Sequence, residues 1–288
     1  MSIILILSYE YPEVTVVQKA LNTFVKNRTI TQVEVKINKL IKNASEIEFK
    51  KFLINKKISY IENIKKFLVF NFTDSSRLLS HLRMTGKYFI RNINDKNLYA
   101  YKHDYIYFYF DNQEVLVYND QRIFGSFEII NSNDNRTIFE IKNLAKLPGF
   151  IDKKILYQRI HKKNISIKKI LLDQSLILGI GNIYADESLF ACKINPMKKA
   201  KDITYEEFSQ LLDQAQKIMD HSIKLGGSTV QNYSSVNGIS GKFQNNLMVY
   251  GRENQICKVC KIGKIKKVKL DYTSNGRGTT FCENCQKE

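Results

Sequence analysis

The residues with the clearest chemical meaning are two cysteine pairs near the end of the chain. Cys257 and Cys260 form one Cys-x-x-Cys motif, and Cys282 and Cys285 form a second. Each motif brings two sulfur atoms together at one tight turn, so two such turns can complete a tetrahedral Zn²⁺ site. A redox-active pair is the alternative interpretation. The fifth cysteine, Cys192, stands in a segment of helical pattern and is predicted to be a small buried apolar residue.

Two further segments could bind a phosphate group. A lysine-rich run between the cysteine pairs is followed by Arg277, which stands between two glycines. The glycines let the backbone approach a ligand closely, and a guanidinium can hold a phosphate through two hydrogen bonds. The segment GIGNIYADE, 179–187, predicts a tight turn with Asn182 as the N-cap of a helix, where free amides suit an anion. The simpler interpretations are a solvated lysine face and an ordinary connection between two helices.

Two short segments each place an apolar residue and an arginine beside a glycine turn. They are SHLRMTGKYF, which contains Met84, and NDQRIFGSF, which contains Arg122 and Phe124. On a surface that faces DNA, such apolar residues can insert between stacked bases. The alternative for both is ordinary packing in a core.

The composition points to a polyanionic partner. The chain has 288 residues, a net charge of +17 and a pI of about 9.5. A strongly basic protein attracts nucleic acid, although a genome that favours lysine codons would give the same excess. We expect neither a membrane span nor a signal peptide, because no apolar run reaches 18 residues and the apolar run at residues 3–7 is short. The cytoplasm is therefore the expected location.

The elements that must position these residues follow from hydrophobic periodicity. Residues 12–27 have apolar positions at helical spacing, and residues 28–130 contain short runs typical of an antiparallel sandwich or barrel. Polar residues over 131–150 predict a boundary between two domains. Residues 150–232 return to helical spacing, and 249–288 predict a small cysteine module with a hairpin between the cysteine pairs.

These signals occur together in an order that closely resembles the formamidopyrimidine-DNA glycosylase and endonuclease VIII family. The presence of Met84 with Arg122 and Phe124 resembles the formamidopyrimidine branch, which acts on oxidised purines. The resemblance covers the chain from about residue 9 onward, and its most specific part is residues 168–190 together with the cysteine end. The matching motifs are PEV, KKFLVF, SHLRMTGKY, DQRIFG, IKKILLDQSLILGIGNIYADESLF, GGST, VYGRE and GRGTTFC.

The resemblance implies an α+β multidomain architecture, with DNA in the cleft between two lobes. An N-terminal antiparallel β-sandwich with flanking helices would be followed by a helix–two-turn–helix all-α domain and a C-terminal zinc-ribbon β-hairpin. The expected bounds are an atypical extension at 1–8, a catalytic-type sandwich at 9–133, a linker at 134–150, a DNA-binding helical domain at 151–245 and a four-cysteine zinc-finger domain at 246–288.

The resemblance also implies roles for individual residues. Glu10 would protonate the sugar ring oxygen or otherwise act as general acid, and Glu13 would position the lesion or support the reacting amine. Lys66 would contact a phosphate beside the lesion, with His81 also at the DNA. Lys168, Asn182 and Arg277 would form a phosphate clamp around the flipped nucleotide. Met84, Arg122 and Phe124 would fill the vacated stack and face the orphaned base, with Arg122 favouring cytosine.

The opening motif departs from the family at the nucleophile. The family opens Met-Pro-Glu-Leu-Pro-Glu-Val, and its N-terminal proline amine attacks the sugar. Glu10, Pro12 and Glu13 match this motif, but Tyr9 stands at the position of the proline, preceded by Ser8 and seven further residues. As written, the nitrogen of Tyr9 is an amide inside a peptide bond, which cannot form an imine.

Three hypotheses follow. The natural N-terminus could differ from the written one, for example through processing before Tyr9, in which case the chain is a glycosylase with AP lyase activity. The chain as written could instead be an impaired protein that binds damaged DNA or abasic sites, with Lys66 giving weak cleavage. The third hypothesis is a zinc protein unrelated to repair.

The remaining expectations concern partners and two segments of the chain. We expect double-stranded DNA with oxidised bases or abasic sites as the partner, and a monomeric protein. The residues before Tyr9 are expected to leave the groove as a tail or to pack beside the sandwich. The loop 231–248 is expected to cover the flipped base.

Overall fold

The structure is a computed structural model that describes residues 9–227 and 241–287. The chain divides into two compact units. The first comprises Met1–Thr137 with Gly226–Lys242, and the second comprises Ile138–Leu225 with Phe243–Glu288. Among the described helices, none is long and apolar enough to cross a membrane.

The first unit is an antiparallel β-sandwich, as predicted. One sheet has the strand order β1-β6-β7-β5 and the other has the order β2-β3-β4-β8. Aromatic and branched side chains from both sheets fill the core, because these residue types pack well on a pleated surface. The strands are β1 Ile30–Val35, β2 Ile58–Ile64, β3 Phe67–Phe72, β4 Arg77–His81, β5 Gly86–Asn92, β6 Asp104–Phe110, β7 Glu114–Asp120 and β8 Ser126–Ile130.

Two helices flank the sandwich. Helix α1, Tyr11–Val25, begins with a capping box in which the side chains of Glu10 and Glu13 each bind the other residue's backbone N–H. Pro12 lies in its first turn, where a missing N–H costs nothing. The apolar face of α1 packs on the core beside β2. Helix α2, Glu46–Leu53, begins with a second capping box and packs beside β1.

The second unit contains the remaining helices and one hairpin. Helix α7 is amphipathic and begins with a capping box between Thr204 and Glu207. The antiparallel pair β9–β10 carries the cysteine-rich end, which confirms the predicted α+β architecture. The elements are α3 Ile138–Lys142, α4 Lys153–Ile160, α5 Ile167–Leu172, α6 Asn182–Ala191, α7 Tyr205–Lys224, β9 Ile265–Lys269 and β10 Gly278–Cys282.

The helix–turn–helix segment differs from the sequence prediction in two details. Helix α5 ends at Leu172, although helical spacing was predicted throughout residues 150–232. The side chain of Gln174 bridges the following turn: it accepts from the N–H of Gly179 (3.1 Å) and donates to the carbonyl of Ile180 (2.6 Å). The N-cap of α6 is Gly181, so the prediction that Asn182 is the N-cap was wrong. Asn182 is the first helical residue, which releases its side chain for another contact.

Candidate active site and nucleic-acid interface

Tyr9 lies at the entry to α1, inside the core of the sandwich. Only 4% of its surface is exposed, and its backbone N–H donates to the carbonyl of Arg83 (2.9 Å). Burial raises the pKa of its phenol far above the usual range, and the nearby charges of Asp120 and Glu13 add to this effect. The side chain therefore stays neutral and behaves as a core residue.

The two acidic residues of the opening motif are buried beside Tyr9. Glu10 is 1% exposed and Glu13 is 4% exposed. The carboxylate of Glu13 accepts the backbone N–H of Glu10 (3.1 Å). The start of α1 thus holds two buried carboxyl groups that follow Tyr9 closely in sequence.

Lys66 and His81 approach this helix start from the sheet β2-β3-β4-β8. Lys66 is half-buried in the turn between β2 and β3, and Asn63 before it donates to the carbonyl of Tyr11 (3.2 Å). The next residue, Phe67, pairs with His81 across the strands, and their rings lie 4.9 Å apart. Since His81 also accepts the N–H of Arg83 (3.0 Å), one end of the sandwich gathers the residues assigned to catalysis.

Met84, Arg122 and Phe124 lie together at two neighbouring loops. Met84 lies between β4 and β5, and the other two lie between β7 and β8. The guanidinium of Arg122 contacts the sulfur of Met84 (3.6 Å) and lies 4.6 Å from the ring centre of Phe124. Phe124 is 47% exposed, so core packing does not explain it. We call these three residues the wedge cluster.

Lys168 is buried, whereas a lysine that binds a phosphate directly would be exposed. It is fully buried, and its ammonium forms an ion pair with Asp186 (2.6 Å), which is also fully buried. The ammonium also donates to the carbonyl of Gly278 (3.1 Å) and the hydroxyl of Thr279 (3.0 Å). Burial raises the pKa of Asp186, and Lys168 together with the two hydrogen bonds from Thr280 opposes that rise.

Asn182 also binds the β9–β10 hairpin, at the start of β10. Its side-chain NH₂ donates to the carbonyl of Gly278 (2.9 Å), the group that Lys168 also binds. Arg277, the residue before, is exposed, and its own carbonyl accepts the N–H of Leu270 (2.9 Å). The structure therefore brings Lys168 and Asn182 to the base of the turn that presents Arg277. Asp186 is not among the site residues predicted from the sequence, where it is one of two adjacent acidic residues, with Glu187, in a mostly apolar helix.

Replacing Lys168 by methionine is expected to destabilise the protein by about 3–5 kcal/mol, because the carboxylate of Asp186 would remain buried without its partner. Urea unfolding measures this loss. The matched control is Lys169→Met, which removes a partly exposed ion pair with Asp271 and should cost at most about 1 kcal/mol. Adding Asp186→Asn to Lys168→Met should recover most of the stability. Equal losses for Lys168→Met and Lys169→Met would contradict this account.

The four paired cysteines converge on one point. Their sulfur atoms all lie within 4.8 Å of one another, and the distances Cys257–Cys285 and Cys260–Cys282 are both 3.8 Å. Four sulfurs at about 2.3 Å from a tetrahedral zinc ion would lie about 3.8 Å apart. Backbone N–H groups point at two of the sulfurs, those of Cys257 (3.4 Å) and Cys260 (3.3 Å), as suits thiolates. The donor set therefore fits a structural zinc ion. Cys192 is half-buried and lies outside this cluster, and burial raises the pKa of its thiol to about 11.

Two predictions fall outside the described residues. The course of the residues before Tyr9 is one of them. The other is most of the loop expected to cover the flipped base, since residues 228–240 are not described.

Comparison with known proteins agrees with this arrangement. Residues 9–127 match the formamidopyrimidine-DNA glycosylase N-terminal domain, and residues 148–234 match the formamidopyrimidine-DNA glycosylase H2TH domain. The formamidopyrimidine-DNA glycosylase of Mycoplasma mobile is 41% identical over 278 residues, which cover 96% of this chain and 98% of that protein. The Listeria monocytogenes protein of the same name is 37% identical over 280 residues, covering 96% and 99%.

Solved structures of proteins from the same family superpose closely on this chain. The Lactococcus lactis protein FPG, in complex with DNA that contains an abasic site, superposes with a TM-score of 0.87 at 34% identity, covering 97% of this chain and 100% of that chain. Its complex with DNA that contains Fapy-dG superposes with a TM-score of 0.86 at the same identity and coverage.

Proposed function

The chain belongs to the formamidopyrimidine-DNA glycosylase family, and from this premise we propose that it acts in base excision repair on oxidised purines in duplex DNA. Its substrates would be formamidopyrimidines and 8-oxoguanine. The wedge cluster carries the proposal: an arginine, a methionine and a half-exposed phenylalanine stand together on neighbouring loops. A damaged base must leave the stack before its sugar can be attacked, and these residues suit the space that it vacates.

Duplex binding offsets the cost of flipping the nucleotide, which is a few kcal/mol. The net charge of +17 supports contacts with backbone phosphates. We assign such contacts to Lys66 and to the exposed Arg277, with Lys168 and Asn182 acting through the backbone that carries Arg277. The guanidinium of Arg122 offers only donors, so it suits an orphaned cytosine, whose pairing edge presents two acceptors.

The chemistry would begin at the nitrogen of residue 9. A free amine there attacks C1′ and expels the base, and the nitrogen and the sugar carbon form an imine. The imine makes the 2′-proton acidic, so β-elimination breaks one phosphate ester bond and δ-elimination breaks the second. Glu10 would supply a proton to the ring oxygen as the sugar opens, and Glu13 would support the amine. Both carboxyl groups are buried at the start of the helix that follows residue 9.

One observation favours a second function, the binding of damaged DNA or abasic sites without lyase chemistry. In the chain as written, the nitrogen of Tyr9 belongs to a peptide bond and donates to the carbonyl of Arg83 (2.9 Å). A peptide nitrogen cannot form an imine. Lys66, at the same end of the sandwich, is the amine that could replace it in slow cleavage.

Borohydride trapping on a duplex with 8-oxoguanine or an abasic site separates these functions. We expect the purified protein, with its N-terminus determined, to bind the abasic duplex at least about 1,000-fold more tightly than undamaged DNA, which is the lower end of the usual specificity range for DNA-binding proteins. An adduct at an N-terminal amine supports the lyase, and an adduct at Lys66 supports the substitute nucleophile. Binding without an adduct supports the second function. Equal affinity for damaged and undamaged DNA would overturn the repair function.

The remaining proposals concern zinc, assembly and location. Cys257, Cys260, Cys282 and Cys285 would hold one structural Zn²⁺ that fixes the β9–β10 hairpin. We propose a monomer in the cytoplasm, associated with the nucleoid through DNA.

A further inference from the structure

A buried carboxylate ties together the two loops that carry the wedge cluster. Asp120 ends β7 and is fully buried. One of its oxygens accepts the N–H groups of Phe124 (2.9 Å) and Gly125 (2.8 Å). The other accepts the N–H of Arg122 (3.2 Å) and the hydroxyl of Thr85, which follows Met84 on the opposite loop. A single side chain therefore binds the backbone N–H groups of Arg122 and Phe124 and, on the other loop, the hydroxyl of the residue that follows Met84.

The hydroxyl of Tyr118 completes this support. It donates to Asp120 (3.3 Å) from inside the core. A Cβ atom added to Gly125 would lie 1.8 Å from this hydroxyl oxygen, and one added to Gly86 would lie 2.4 Å from it. The two loops thus end in glycines because Tyr118 occupies the space where side chains would stand.

We infer that Asp120 is a positioning residue that sets the readout of the base opposite the lesion. This inference rests on the proposed function of the wedge cluster. Arg122 can discriminate between bases only if its guanidinium is held at one distance and angle from the orphaned base. Its backbone N–H is held by Asp120 and by the hydroxyl of Thr85 (3.3 Å), so the support acts on the reading residue itself.

The geometry of a carboxyl side chain is specifically suited to this position. A carboxylate accepts at both oxygens and can serve all five donors, whereas an asparagine amide accepts at one oxygen only. In Asp120→Asn, the NH₂ group would face two or three of the same donors, which would lose their partner while remaining buried. The two loops would therefore separate from their common support, although the size of the side chain is unchanged.

The first test uses the protein without DNA. Amide hydrogen exchange of residues 82–86 and 121–125 should be slow in the wild type and at least about tenfold faster in Asp120→Asn, which corresponds to the loss of about one hydrogen bond. The matched control is Asp104→Asn. Asp104 is also buried in the sandwich, but its carboxylate binds the side chains of Arg91 and Asn119 and none of the N–H groups of these two loops. Equal exchange in the wild type and in Asp120→Asn would overturn the inference without touching the proposed function.

The second test compares affinities for an abasic-analogue duplex with cytosine or adenine opposite. We expect the wild type to prefer cytosine by about fivefold or more, and Asp120→Asn to reduce that preference to about twofold or less. Thr85→Val should weaken the preference in the same direction, and Thr85→Ser should restore it. Asp104→Asn should lower stability and leave the preference unchanged. A preserved preference in Asp120→Asn would contradict the inference, whereas a wild type that ignores abasic sites would contradict the proposed function.

Discussion

A shortened chain that begins at residue 9 and carries Tyr9→Pro is expected to form about 100-fold or more borohydride-trapped adduct on an abasic duplex than the chain as written. This factor is the usual contribution of a well-placed catalytic group. The nitrogen of residue 9 lies at the entry to α1 and donates to the carbonyl of Arg83, and the start of the same helix carries the buried Glu10 and Glu13. A secondary amine at this point would have the carboxyl groups that the chemistry requires. The measurement is the yield of adduct on a denaturing gel.

Two controls make this experiment decisive. A chain that begins at Tyr9 itself exposes a primary amine and should give an intermediate yield. The variant Tyr9→Pro inside the full chain keeps a peptide nitrogen at residue 9 and should give no adduct there. Removing the buried ring also leaves a cavity and should cost about 3 kcal/mol or more, so a thermal unfolding curve must show that each variant is folded at the assay temperature. If the shortened proline variant is folded and binds but forms no adduct, residue 9 is not the site of the nucleophile.

Removing the metal is expected to unfold the cysteine module. The apparent binding free energy of structural zinc is about 10–16 kcal/mol, which exceeds what a hairpin of this size can supply by packing. The buried cluster around the sulfurs contains Val249, Ile265 and Phe190 of α6, so its loss also exposes one face of that helix. Because β10 carries Gly278 and follows Arg277, binding to the abasic duplex should fall at the same time.

The variant that tests this is Cys282→Ser. It should contain less than one zinc per chain, lose slow amide exchange across β9 and β10, and bind damaged DNA about tenfold or more weakly, the change expected from losing a charged phosphate contact. Cys192→Ser is the matched control, because Cys192 lies outside the cluster and should keep the metal. A Cys282→Ser protein with intact hairpin protection would contradict a structural role for zinc.

The sequence was most informative where the signal is local. The cysteine spacing requires only that two turns meet, and the four sulfurs do meet. The capping box of α1 and the apolar face behind it lie within one helix, so periodicity predicted the helix well. Local patterns could not predict how the strands pair, because β6 lies between β1 and β7, and β4 pairs with β8 across a long separation in sequence.

The wedge cluster was predicted by resemblance to a family, since periodicity alone left Met84 and Phe124 open to a core interpretation. For Phe124, the exposure of its ring and the contact with Arg122 exclude the core interpretation. The residue that organises the cluster, Asp120, stands inside the motif DQRIFG but gave no separate signal. A buried acid and a surface acid look the same in sequence.

The sequence by itself therefore determined the helices, the cysteine cluster and the presence of Tyr9 where the family has its proline. Each of these depends on covalent order or on neighbours along the chain. Only the tertiary structure decided which charges are buried and what they bind. Lys168 pairs with Asp186 and holds the carbonyl of Gly278, more than a hundred residues away. Such partners are chosen by the folding of distant segments onto one another, where a buried charge must find an opposite charge or hydrogen bonds.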